Sequence, residues 1–81
     1  AAFPVVRSYL DQLVRGQGLA RARTSAVAHD LNGAEKMSGA SRRTALNTLA
    51  GQLDSDAQGA ADAKRVRAMA AAVRDLANAS Q

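Results

Sequence analysis

Apolar residues recur along this chain at steps of three and four, the spacing that gathers side chains on one face of an α-helix. The first such stretch, "PVVRSYLDQLVRGQG", carries Val6, Tyr9, Leu10, Leu13 and Val14. Pro4 suits a first turn, and Gly16 and Gly18 suit a stop, so the pattern predicts a helix over about 4–15. A second is predicted from about Leu19 to Leu31, with a continuation to Met37. Leu19, Val27, Leu31, Ala34 and Met37 would share its face, and Asn32-Gly33 is where it would break or bend. "SGASRR" reads as a turn, with Ser41 as the expected cap of a third helix over about 42–54 that buries Ala45, Leu46, Leu49 and Leu53. "DSDAQG" is the next punctuation. A fourth helix follows over about 61–78, with Val66, Met69, Val73 and Leu76 inward and Asp62 near its positive end.

No segment alternates as a strand would. The pattern therefore predicts an all-α fold, a small antiparallel bundle of four helices, or of three if the first merely packs across the others. Alanines 68, 70, 71 and 72 would let a second helix approach the fourth closely. Packing within the chain is the commoner use of such a stripe, and self-association into a homodimer is the competing one.

Composition narrows the picture. The 81 residues suffice for one domain, taken as 1–81, and alanine abundance favours helices. Hydrophobic residues make up 47% of the chain but aromatic ones only 2%, so the core is thin and modest stability, or help from a partner, is expected. No cysteine is available for disulfides or thiolate metal sites. No apolar run approaches the roughly 20 residues that cross a bilayer. The opening "AAFPVV" lacks an initiator Met, which is read as a matured product or, preferably, an excised piece of a longer protein. The net charge of +4 is carried mostly by arginine and permits an anionic partner without requiring one.

One stretch imitates a metal site. In "LDSDAQGAADAKR", Asp54, Asp56, Gln58, Gly59 and Asp62 fall on positions 1, 3, 5, 6 and 9 of a calcium-binding helix–loop–helix motif. The closing position, which needs a bidentate carboxylate, is Arg65, and a guanidinium donates without ever accepting. Lys64 and Arg67 add repulsion. A helix–helix connector is the better reading, with a weak divalent-ion site left open. His29 beside Asp30 is the lone histidine. It lacks a plausible nucleophile, since there is no cysteine and Ser25 would be an exposed hydroxyl. No carboxylate pair shows acid–base spacing. No catalytic, cofactor-binding or metal-binding residue is therefore assigned, and an enzyme is not expected.

The basic residues cluster near predicted helix starts: Arg21 and Arg23, then Arg42 and Arg43, then Lys64, Arg65 and Arg67. Cations there oppose the helix dipole and could mark an anion- or partner-binding patch. In an up-and-down bundle Arg21, Arg23, Lys64, Arg65 and Arg67 would share one end, with Arg42 and Arg43 opposite. No aromatic residue interleaves with them, which disfavours base stacking. "SGASRRTALNTLAGQL" also imitates the recognition helix of a helix-turn-helix reader, with Ser41, Arg42, Arg43, Thr44 and Asn47 exposed. Solvated helix ends are the simpler explanation.

From about Leu13 to Leu76 the chain resembles FIMAH, a small helical accessory domain often found at the C-terminal end of large secreted bacterial hydrolases. The shared features are the Gly-containing entry before Leu19, the Leu31–Ala34–Met37 register, the Gly/Ser turn, Ala45-Leu46-x-x-Leu49 and a final apolar helix. The chain departs from the family where it has "SGAS" between the middle helices and Ala50 to Gln52 after Leu49. The resemblance lies in core spacing, so it transfers no binding residues. It implies a non-catalytic appendage at an extracytoplasmic address, periplasmic or secreted. The expected function is thus a non-catalytic helical accessory module of a bacterial protein, packing against its parent protein, another copy of itself or an envelope component. The alternative is a small basic helix-turn-helix-like nucleic-acid-binding domain.

Overall fold

The structure, a computed structural model, describes residues 2–79. Four helices run up and down: α1 (Phe3–Gly16), α2 (Arg21–Glu35), α3 (Gly39–Ala57) and α4 (Ala63–Ala79). Each helix packs on its two neighbours, α1 on α2, α2 on α3, α3 on α4 and α4 on α1, in an elongated bundle of 33 × 18 × 18 Å. The four-helix form of the expectation holds, and among the described residues no strand occurs.

The inward stripes do the packing. Phe3, Val6, Leu10 and Leu13 of α1 meet Val27, Leu31 and Ala34 of α2. Leu46, Leu49, Ala50, Leu53 and Ala57 of α3, and Val66, Met69, Ala70, Val73, Leu76 and Ala77 of α4, complete the same core. Ala50, Ala70 and Ala77 are fully buried, whereas Ala71 faces solvent and Ala68 and Ala72 are half-buried. The alanine stripe of α4 is thus partly consumed inside the chain.

Several boundaries differ from expectation, each for a local reason. Leu19 is buried, but from the α1–α2 connector, because α2 starts only at Arg21. Asn32-Gly33 does not end α2. A mid-helix glycine costs about 1 kcal/mol against alanine, and the burial of Leu31 and Ala34 on either side offsets it. The helix stops at Glu35, so Met37 falls outside the inward register and is 41% exposed. Ser41 is not a cap. α3 begins earlier, at Gly39 with φ 57°, a left-handed conformation that glycine tolerates and that turns the chain into the helix just after Ser38. Ala45 is half-buried rather than buried. At its other end α3 runs on through Asp54, Ser55 and Asp56 to Ala57, whose side chain is buried. The punctuation therefore shrinks to Gln58–Asp62, and α4 begins at Ala63.

The end of the bundle where α1 passes to α2 is fastened by backbone. α1 closes with paired bonds, Gln17 N–H to Val14 O at 3.3 Å and Gly18 N–H to Leu13 O at 2.9 Å. The left-handed residue of this closure is Gln17, φ 54°, and not either flanking glycine. Gly18 is needed elsewhere: its carbonyl accepts the Asp62 N–H at 3.0 Å, tying the connector to the start of α4. A Cβ on Gly18 would sit 2.7 Å from Asp62 Cβ.

Candidate functional site

The residues that look like a site in the sequence are separated by helical geometry. Asp54 and Asp56, two apart on α3, turn to opposite neighbours. Asp54 accepts a hydrogen bond from Arg74 of α4, and Asp56 accepts from Arg23 Nε of α2 at 3.0 Å to each carboxylate oxygen. Asp62 caps α4: its Oδ1 accepts the Arg65 N–H at 3.1 Å, the arrangement that satisfies a free donor of the first turn. Three carboxylates that would have to converge on one ion thus serve three different fastenings. Among the described residues no group of three metal-ligating side chains is close enough to hold a cation. The hydrogen bond to Asp54 raises the Arg74 pKa above its already high ordinary value, against a smaller opposing desolvation. That guanidinium is charged at every accessible pH.

The topology does place the starts of α2 and α4 at the same end, as the Gly18–Asp62 bond shows. The five cations expected there are not equivalent. Arg23 is engaged by Asp56, and Arg65 lies 3.4 Å from Asp62. Arg21, Lys64 and Arg67 are exposed and form no ion pair among the described residues.

At the opposite end Arg43 is exposed, whereas Arg42 is half-buried and turned inward. Its Nε donates to Ala34 O at 3.0 Å and its Nη2 to Glu35 O at 2.8 Å, while the guanidinium stands 5.3 Å from the centre of the Phe3 ring. This corrects the expectation of Arg42 as an exposed reader on α3. The last carbonyls of a helix lack partners within it, and Arg42 supplies them for α2. Arg42→Met is expected to destabilise the fold by about 1–2 kcal/mol, since it keeps the aliphatic stem and removes two charge-assisted bonds. Urea denaturation measures it, and a change within about 0.3 kcal/mol of zero contradicts the capping role.

A further strut had no signal in the sequence: Arg7 of α1 donates to Glu35 Oε1 at 2.6 Å and to Asn32 Oδ1 at 3.0 Å on α2. His29 stands at the surface of α2. Its side chain is 90% exposed, and its Nδ1 lies 3.7 Å from Asp30.

What remains accessible is shaped surface. A groove of about 340 Å³ runs between α2 and α3, floored by Gly33, Met37, Ala45 and Leu49 with His29 at its rim. A second concavity of about 450 Å³ adjoins it and shares Met37 and Ala45. Gly33 widens the groove, since a Cβ there would meet nothing within 4 Å. Comparison with known protein families, curated proteins and solved structures finds no match.

Proposed function

We propose that the chain is a non-catalytic helical accessory module that works by docking against another protein surface. The observation that carries this is Met37. It is a large apolar side chain 41% exposed, at the junction of two adjoining concavities and outside the core that α2 and α3 share. Methionine adapts its shape to a partner more readily than branched residues do, which suits an interaction surface. Glu35, Asp54 and Asp56 are each engaged by an arginine of another helix, which draws three of the carboxylates and their guanidiniums into holding the bundle together. The FIMAH-like core spacing supports an extracytoplasmic accessory role in a bacterial protein, with the parent protein or another copy as the first partners to consider.

A nucleic-acid reader built on α3 is the weaker proposal. Recognition through Arg42 would remove the guanidinium from the α2 carbonyls it satisfies.

A photo-crosslinking residue at position 37, in the full protein in the cells that make it, tests the docking role. A discrete product, within the chain or to a partner, is expected from position 37 and not from exposed position 15. The same product pattern from both positions, or none from either, contradicts it.

A further inference from the structure

We propose that the face shared by α1 and α4 binds an acidic amphipathic helix from a partner protein. This rests on the reading of the chain as a docking module and adds a second surface with a defined chemistry.

The floor of this face is apolar. Pro4, Val5, Ser8, Tyr9 and Gln12 line a shallow concavity of about 460 Å³ along α1, where Val5 is 49% exposed. Tyr9 also belongs to an adjoining concavity of about 280 Å³, where it faces Lys64, Arg65 and Ala68 of α4. Positions 5, 9 and 12 form one helical stripe and 65, 68 and 72 another, so two antiparallel helices present a trough with Tyr9 at its middle. Such a trough accepts a third helix by its apolar side.

The charge defines which helix. Lys64 and Arg65 occupy the first turn of α4, where cations run against the helix dipole, and no acidic residue lies in that turn. Lys64 forms no ion pair among the described residues, so its charge has no structural use within the fold. Asp62 is the one carboxylate lining these two concavities among the described residues, already occupied by the α4 cap and by Arg65, while Asp75 stands farther along α4, three residues beyond Ala72. A partner with leucine or alanine on one side and glutamate or aspartate along its edge would bury its apolar face on Val5, Tyr9 and Ala68. Its acidic edge would meet Lys64 and Arg65, and the charge would set orientation and discriminate against basic helices.

The chain supplies its own reporter, because Tyr9 is its only tyrosine and it has no tryptophan. The probe is a helical peptide of leucine, alanine and glutamate with one apolar and one acidic face, free of aromatic residues. Titration into the protein is expected to change Tyr9 emission saturably, and the same peptide with lysine for glutamate is expected not to. Raising salt to about 0.5 M should weaken the acidic peptide's binding, as screening of exposed charge requires. Lys64→Glu should weaken it about fivefold. That variant is expected to fold normally, since Lys64 is exposed and a carboxylate in the first turn suits the dipole.

Equal binding of both peptides, unchanged affinity in Lys64→Glu, or no change in emission at millimolar peptide would overturn the proposal. So would a stronger response to duplex DNA, or a concentration-dependent change in Tyr9 emission without peptide, which would assign the trough to a second copy. A position-37 crosslink without a Tyr9 response sinks this surface alone. Silence in both experiments sinks the docking role as well.

Discussion

Replacing Gly18 with alanine is expected to lower stability by about 2–4 kcal/mol, read as a fall in the urea midpoint at unchanged slope. The penalty is one of packing. Positive φ occurs at Gln17 and Gly39 among the described residues and not at Gly18, so alanine suits its backbone there. The added methyl would stand 2.7 Å from Asp62 Cβ and 2.9 Å from Leu13 Cδ2. Neither neighbour can give way cheaply. Leu13 is fully buried, and Asp62 is held by its cap bond to Arg65 and by the bond from its N–H to Gly18 O. Relief requires lifting the α1–α2 connector off the start of α4, which forfeits that backbone bond, about 1 kcal/mol more. Gly59 is the control. A Cβ there meets nothing, so Gly59→Ala should be neutral or stabilise by up to about 1 kcal/mol through the unfolded chain. Equal effects at the two glycines would show that the connector and α4 are not fastened as described.

Leu53→Ala should cost about 2–5 kcal/mol, combining lost burial with the cavity left behind. Leu53 is fully buried on α3, in a core built largely from leucine, valine and alanine with Phe3 as its one buried aromatic. A chain of this length has a total stability of about 4–12 kcal/mol, so the variant loses a large share of it. Its melting temperature should drop by on the order of 10–30 °C. Met37→Ala should stay within about 0.5 kcal/mol of the parent, because Met37 lies outside the core. A large loss at Met37, or a small one at Leu53, would reverse the assignment of core and docking surface.

Helix number and order were legible because stripes such as Leu46–Leu49–Leu53 and Val66–Met69–Val73–Leu76 repeat at the helical period, and burial follows that period directly. Helix ends were less legible. Ser41 is a good cap by residue type, but the left-handed Gly39 started α3 before Ser41 could serve. "DSDAQG" is rich in turn formers, yet Asp54 and Asp56 stay helical because Arg74 and Arg23 lie on the flanking helices to receive them. Those partners are 20 and 33 residues distant in sequence, and no local pattern announces them. The apparent patch of Arg21, Arg23, Lys64, Arg65 and Arg67 was right about the shared end and silent about which charges were already matched.

A double-mutant cycle across Arg23 and Asp56 tests most directly whether these charges fasten helices instead of forming a site. Their side chains are 34% and 16% exposed, so screening is partial. Denaturation of Arg23→Ala, Asp56→Ala and the double variant should give a coupling of about 0.5–1.5 kcal/mol. A coupling within about 0.3 kcal/mol of zero would mean that Asp56 is free for another ligand, and that the acidic stretch is not a set of fastenings.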